Sequence, residues 1–266
     1  CGRADLNLAD AAACRAAVLR HRPDWVINAG AYTAVDRAEQ EPELALAVNA
    51  SAPAALAAAL AEVGGRLLQI STDFVFGGHQ GHPYQPGQPL APLSAYGISK
   101  AQGEERLQAS LDPERWCILR SSWVYGPVGH NFLLTMLRLH RQRATSGQPL
   151  RVVADQVGCP TATAGLAQAC WAVLEHRLAG ILHWSDAGVA SWYDFAEAIG
   201  ELGSQAGLLE RPAAVEPITT ADYPTPARRP SYSLLDCSAS RAALHLTAQH
   251  WRQSLAAVIA TVAAAG

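Results

Sequence analysis

The sequence predicts a doubly wound α/β fold, a parallel sheet covered by helices on both faces, with a second and smaller domain after it. Three observations carry this reading. The apolar runs WVINAG (25–30), RLLQIST (66–72) and WCILRSS (116–122) are short and do not alternate with polar residues, as expected of strands buried on both faces. Ala-rich amphipathic patterns at roughly 10–21, 37–48, 52–63 and 96–110 separate them, and strands alternating with helices pair in parallel. The chain has 266 residues, 50% of them hydrophobic, enough to bury one large α/β core or two unequal ones.

In an open parallel sheet, ligands bind beyond the carboxyl ends of the strands, so NAGAYT (28–33), STD (71–73) and SSWVYG (121–126) sit where a site would form. After residue 150 the pattern loosens. It runs through LRVVAD (150–155), a turn at Pro160-Thr161, a helix around 163–177, GILHWSD (180–186) and a helix near 192–205. A Pro-rich segment (212–230) and a last amphipathic helix over roughly 248–263 complete the chain. Residues 1–150 therefore read as the sheet domain, and 151–266 mainly as the smaller domain, with some segments returning to the sheet. The Pro-, Tyr-, Thr- and Arg-rich stretch 212–236 suits a lid or pocket wall better than a linker.

Charged residues make up 16% of the chain, the formal net charge is -3, and the cations are scattered, which argues against a nucleic-acid partner. Cys1, Cys14, Cys117, Cys159, Cys170 and Cys237 lie far apart with no C-x-x-C, so neither a zinc site nor a disulfide framework is expected. A reducing cytoplasm fits this best. With no unbroken apolar stretch of roughly 18 residues and no charged-then-apolar leader, a soluble protein without membrane association is expected.

The chemistry concentrates in STDFVFGG (71–78) and YGISKAQGE (96–104). Residues four apart on a helix project from one face, so Tyr96 and Lys100 can meet one ligand. An ammonium beside a phenol favours the phenolate, so Lys100 is expected to lower the Tyr96 pKa. A carbonyl under reduction develops negative charge on oxygen, which Tyr96 as acid and Thr72 as second donor would stabilise. Each residue also has a plainer reading: Tyr96 and Lys100 as a surface pair, Thr72 and Asp73 as the turn that ends a strand. Cys159 reads as a buried small residue rather than a nucleophile, and His183 as core.

The blocks RPDWVINAGAYTAVDRAEQEPELALAVNA, STDFVFGG, YGISKAQGE, RSSWVYG, NFLLTMLRL, DQVGCPT, SWYDFAEAI and YPTPARRPSYSLLD, in this order, closely resemble the dTDP-4-dehydrorhamnose reductase family, which belongs to the extended short-chain dehydrogenases/reductases. The resemblance implies a Rossmann-like NAD(P)-binding domain and reduction of the 4-keto group of dTDP-4-dehydro-L-rhamnose by NADPH or NADH. It places Thr72, Tyr96 and Lys100 at the catalytic positions, with Lys100 also holding the nicotinamide ribose. Asp73, Trp123, Asn131 and Arg229 fall at substrate-contacting positions. For Asn131 a helix N-cap is an equal reading, and Arg229 suits a nucleotide diphosphate. Ala31, Tyr32 and Thr33 match the segment beside the cofactor. Asn7 and Leu8 match the adenine pair, where the family often has an acid; here the nearest is Asp5.

The family opens with a strand and a G-x-x-G-x-x-G loop that cradles the pyrophosphate. Since this sequence starts at CGRADLNLAD, the resemblance implies that roughly thirty residues carrying the first strand and the Gly-rich loop are missing, judged by the size of a βαβ unit. The chain as written is then expected to bind cofactor poorly. Sugar-nucleotide dehydratases follow their Thr-Asp with Glu, whereas Phe74 follows Asp73, and epimerases carry a different strand end; both rank lower. The other class of reading is a non-catalytic subunit resembling the regulatory β subunit of methionine adenosyltransferase. A homodimer is compatible with the family. Magnesium occurs in some relatives without support from this sequence.

Overall fold

The computed structural model describes residue 2 and residues 4–265; Cys1 lies outside them. The chain runs α1 (Ala11–His21), β1 (Trp25–Asn28), α2 (Val35–Ala38), α3 (Pro42–Leu46), α4 (Ala52–Val63), β2 (Arg66–Thr72), α5 (Ala95–Ser110), β3 (Trp116–Ser121) and β4 (Val124–Tyr125). It continues with α6 (Phe132–Ser146), β5 (Leu150–Val153), β6 (Val157–Gly158), β7 (Thr161–Ala162), α7 (Thr163–Glu175), β8 (Gly180–Trp184) and β9 (Ala190–Ser191). The last elements are α8 (Trp192–Gln205), β10 (Val215–Ile218), α9 (Ser238–Leu244) and α10 (Trp251–Ala265).

The main sheet has the order β1-β2-β3-β8 and is parallel throughout. Its side chains point alternately to two helical layers. Leu67 and Ile118 pack with Cys14, Leu56, Leu60 and Leu107 from α1, α4 and α5. Leu68, Cys117 and Leu119 pack with Ala169, Val173 and Leu244 from α7 and α9 on the other face. All six residues of β3 are buried, which is why its sequence shows no alternation. β8 comes from the second half of the chain, so residues 180–184 extend the first sheet. A separate core joins α6, α8 and α10 with Leu150 and Val152 of β5, which pairs with β10.

Two expectations change. The patterns read as helices at 37–48 and 52–63 form instead the short α2 and then one continuous helical run from Pro42 to Val63, crossing a π-helical stretch at Ala47–Ser51. Pro53 has no N–H to offer the Asn49 carbonyl, and the wider π turn passes this point without breaking the helix. This run of 22 residues contains an 18-residue window with mean hydropathy 1.8, long and apolar enough by composition to cross a membrane. Counting only unbroken apolar runs overlooked it. Half of that window is buried here, with Ala52, Leu56, Ala57, Ala59 and Leu60 in the core beside α1 and β2.

Helix α5 can lie close to this run because Gly103 has no side chain: a Cβ there would come 2.0 Å from the Asn49 carbonyl oxygen. Gly103→Ala is therefore expected to destabilise the fold by about 1–3 kcal/mol through overpacking, although alanine is the better helix former. Denaturant melts check this, and a stability equal to or above that of the native protein would show that α5 yields without cost.

Candidate active site

Strand β2 delivers Ile70, Ser71 and Thr72 to its carboxyl end, and Asp73–Val75 then form a single 3₁₀ turn. The Thr72 hydroxyl accepts the Phe74 N–H at 3.1 Å and donates to Asp73 Oδ1 at 3.0 Å, so it fills the turn role. It does so beside the catalytic candidates. Helix α5 is capped by Ser94, whose side chain accepts the Gly97 N–H at 3.2 Å. A Cβ on Gly97 would meet the Phe74 carbonyl oxygen at 2.4 Å. That close approach presses the first turn of α5 onto the turn after β2 and brings Tyr96 next to Thr72.

Tyr96 and Lys100 are both buried, which rules out the surface-pair reading. The Tyr96 ring meets Phe74 edge-on at 5.6 Å and packs with Tyr32, Val35, Ala38 and Ala45. Lys100, the only lysine in the chain, donates from Nζ to the Ile70 carbonyl at 2.7 Å. Its ammonium has two further donors. Neither has a partner among the described residues, so both can serve a diol such as a ribose.

The electrostatics correct one expectation. Burial pushes the Tyr96 phenol up to about 12; the nearby Thr72 hydroxyl works to lower it and the Asp73 charge to raise it. Lys100 does not lower it, because its ammonium is turned to Ile70 and burial brings its own pKa down to about 8, against the opposing charge of Glu104. The sequence fixes the spacing of the pair but not the desolvation that both members suffer. Tyr96 thus stands protonated across the neutral range, the state a proton donor needs.

Asp73 is buried, and its Oδ2 has no hydrogen-bond partner among the described residues. Burial raises its carboxyl to about 6, against the lowering influence of the Ser233 and Thr72 hydroxyls. The folded protein holds this proton to higher pH than the unfolded chain, so the stability it contributes is full below about pH 4 and falls as the pH rises to about 6. Asp73→Asn is accordingly expected to stabilise the fold by about 1–3 kcal/mol at pH 7.5 and by nearly nothing at pH 4. Thermal melts at the two pH values check the sign; a variant less stable at pH 7.5 would refute it.

Asn49, in the π-helical stretch, is a site residue that sequence reasoning missed. Its Oδ1 accepts the Tyr32 N–H at 2.9 Å, and its Nδ2 donates to the Tyr32 carbonyl and the Ser99 hydroxyl, both at 3.0 Å. Ser99 in turn donates to the Tyr96 carbonyl at 2.7 Å. One buried amide therefore ties the Ala31–Thr33 segment to the helix that bears Tyr96 and Lys100. The π-helical turn was the available signal, since such turns gather at functional sites, yet it is not legible from residue spacing.

Beside that segment lies a cavity of about 850 Å³ along β1, lined by Asn7, Leu8, Gly30, Ala31, Tyr32 and Thr33 among others. Of the seven residues expected to hold the cofactor, Asn7, Leu8, Ala31, Tyr32 and Thr33 line this cavity. At Gly30 a Cβ would come 2.5 Å from Leu8 Cδ1, so a side chain there would crowd the cavity wall. Thr72, Tyr96 and Lys100 do not line this cavity; Tyr32, held by Asn49, connects the two regions. Residues that could hold parts of a dinucleotide are therefore those of this cavity and, for a ribose, the two free donors of Lys100. Among the described residues no cluster of His, Cys, Asp or Glu is placed to hold a metal ion.

The remaining candidates lie in two groups. Trp123 takes a left-handed backbone conformation (φ 46°) and stacks on Trp192 at 3.6 Å. Gly158 leaves room for its indole, since a Cβ there would lie 2.9 Å from Trp123 Cε2. Asn131 caps α6, accepting the Leu134 N–H and donating to the Gly126 and Val128 carbonyls, so its amide already serves the backbone. Arg229 holds Asp36 through Nη1 at 3.0 Å and Nη2 at 2.8 Å, an ion pair joining residues 193 apart. Its terminal nitrogens are therefore engaged rather than free for a diphosphate. Cys159 is fully buried, with its thiol at the Asp186 carbonyl and its pKa raised by burial to about 12; it is no nucleophile. His183 is core as expected, pushed down to about 3 by burial and Arg120.

A parallel doubly wound sheet with Thr, Tyr and Lys converging at the end of its second strand defines an oxidoreductase fold of the extended short-chain dehydrogenase/reductase class. The profile described as "RmlD substrate binding domain" matches residues 1–264, and the chain belongs to that family. It is 42% identical over 260 residues to a dTDP-4-dehydrorhamnose reductase of Streptomyces griseus, covering 96% of this chain and 82% of that one. It is 40% identical to a probable dTDP-4,6-dihydroxy-2-methyloxan-3-one 4-ketoreductase of Streptomyces antibioticus, covering 96% and 83%. A crystal structure of dTDP-4-dehydrorhamnose reductase from Bacillus anthracis in complex with NADP superimposes with a TM-score of 0.88 at 33% identity, covering 97% of this chain and 88% of that one.

Proposed function

We propose that the protein is an NAD(P)H-dependent dTDP-4-dehydrorhamnose reductase, converting dTDP-4-dehydro-L-rhamnose to dTDP-L-rhamnose, a precursor of cell-surface polysaccharide. The observation that carries this is the convergence of a protonated Tyr96, the Thr72 hydroxyl and the buried Lys100 in a chain of this family. A regulatory subunit has no need of that trio, and the relatives named above are reductases.

The nicotinamide supplies a hydride to the sugar C4 when bound. Every other role falls to this chain. Tyr96 donates its proton to the C4 oxygen as negative charge develops there, and Thr72 gives that oxygen a second donor by turning its hydroxyl from Asp73. Lys100 holds the ribose hydroxyls through its two free donors. Asp73, with its unpartnered Oδ2, accepts from a substrate hydroxyl, and Trp123 offers its indole face to the sugar nucleotide. Asn7, Leu8, Ala31, Tyr32 and Thr33 line the cofactor's path. Asn131 and Arg229 contribute mainly by holding the α6 terminus and the loop after β10. Residues 1–150 form the cofactor domain and 151–266 mainly the substrate domain. The enzyme works in the cytoplasm and is compatible with a homodimer.

The test is loss of NADPH absorbance on mixing the protein with dTDP-4-dehydro-L-rhamnose and, in parallel, with a dTDP-4-keto-2,6-dideoxy sugar, the kind of ketone that the Streptomyces antibioticus relative's name describes. Faster turnover of the former supports the assignment. Preference for the latter moves the protein to the sister activity, and no turnover of either, with the family's N-terminal strand and Gly-rich loop joined to this sequence, refutes the reductase reading.

A further inference from the structure

Glu104 lies one turn beyond Lys100 on α5, so Tyr96, Lys100 and Glu104 follow one another at intervals of four along the buried face of the helix. Its carboxylate is fully enclosed and fully used. Oε1 accepts the Ser71 hydroxyl at 2.5 Å and Arg120 Nε at 3.0 Å, and Oε2 accepts Arg120 Nη2 at 2.6 Å. Ser71 stands between Ile70, whose carbonyl takes the Lys100 ammonium, and Thr72. Arg120 comes from β3, directly opposite Ser71 in the sheet register. The clamp therefore joins the helix bearing the acid and the lysine to the strand end bearing the second donor.

We propose that Glu104, gripped by Ser71 and Arg120, is a positioning residue of this site: it docks the Tyr96–Lys100 face of α5 on the end of β2 and keeps the Lys100 side chain an ammonium. The proposal rests on the reductase reading only for the reaction the site serves. A buried ion pair is a weak source of net stability compared with apolar packing, so a structural role alone accounts poorly for one at this point. Burial favours the neutral amine of Lys100, and the Glu104 charge is what opposes it. The other groups facing the clamp leave Glu104 in this role. Ser71 of β2 carries no charge, Tyr96 is protonated, and His183 of β8, 3.4 Å from Arg120 Nη1, is neutral. Asp73 follows β2, and Arg120 of β3 directs Nε and Nη2 to Glu104 and Nη1 to the Pro86 carbonyl.

Because Lys100 is the only lysine among the 266 residues, protein labelled with ¹³C at the lysine Cε gives one signal, assigned by its loss in Lys100→Met, whose pH titration reads this amine without substrate or cofactor. The native midpoint is expected near 8. Glu104→Gln is expected to lower it by about one unit or more, and Glu104→Asp, which retracts the charge, by less. Ser71→Ala leaves the ion pair in place and is expected to lower kcat about tenfold at unchanged keto-sugar KM through misplacement of the site. Circular dichroism confirms folding, and if the Gln variant does not fold, the Asp variant carries the titration. A Lys100 midpoint that does not move in a folded variant overturns the proposal, as does an unchanged kcat in Ser71→Ala. Because the titration needs no turnover, its failure is distinct from failure of the reductase assignment.

Discussion

Tyr96→Phe is expected to lower kcat by about 10³-fold while changing the KM for the keto sugar by no more than about twofold. The variant removes one oxygen from a ring otherwise held by Phe74, Tyr32 and the small residues of α2 and α3, so the helix and the pocket persist. What is lost is the proton that meets the new alkoxide, an interaction that strengthens only as hydride arrives. With a pKa raised to about 12 the phenol is a weak acid in the resting protein, but an alkoxide is a stronger base than a phenolate, so the transfer remains downhill. Steady-state kinetics on both proteins check this. Equal losses in binding and turnover would mean that Tyr96 shapes the pocket rather than donating a proton.

Lys100→Met is expected to be at least as severe, lowering kcat/KM for NADPH by about 10³-fold or more, with both KM and kcat affected. Methionine fills similar volume, so the buried face of α5 stays packed while the charge and all three donors disappear. The Ile70 carbonyl loses one of its two side-chain partners and keeps the Gln69 amide at 2.8 Å, a modest stability cost of about 1 kcal/mol. Cofactor titration by fluorescence together with turnover assays separates the effects. Native NADPH affinity with a lowered kcat would remove Lys100 from cofactor binding and leave it an electrostatic role alone.

The sheet was legible because its strands are short and apolar, with β3 buried throughout: each apolar run became a strand, and 180–184, far along the chain, is the fourth strand of the same sheet. The proximity of Thr72, Tyr96 and Lys100 was legible because two of them share one helix face and the third ends a strand. What stayed hidden depends on contacts between distant residues. Asn49 acts on Ser99, 50 residues away, and no spacing reports that. Arg229 looked free for an anion because its partner Asp36 lies 193 positions earlier. Helix α9 has only seven residues and too short an amphipathic pattern to stand out. The Pro42–Val63 run escaped because its Pro and polar residues interrupt the apolar count without interrupting the helix. The state of Tyr96 was misjudged for a related reason: residue types give a charge its sign, but only the packed structure gives it a dielectric.

The proposed chemistry is delivery of a hydride and a proton to one sugar carbonyl. It is tested most directly by supplying NADPH deuterated at the transferable position together with dTDP-4-dehydro-L-rhamnose and reading the product by NMR. The expected product carries a single deuterium at C4 of the sugar, formed rapidly by the native protein and about 10³-fold more slowly by Tyr96→Phe. Deuterium at another carbon, or label transfer at the same rate in both proteins, would contradict it.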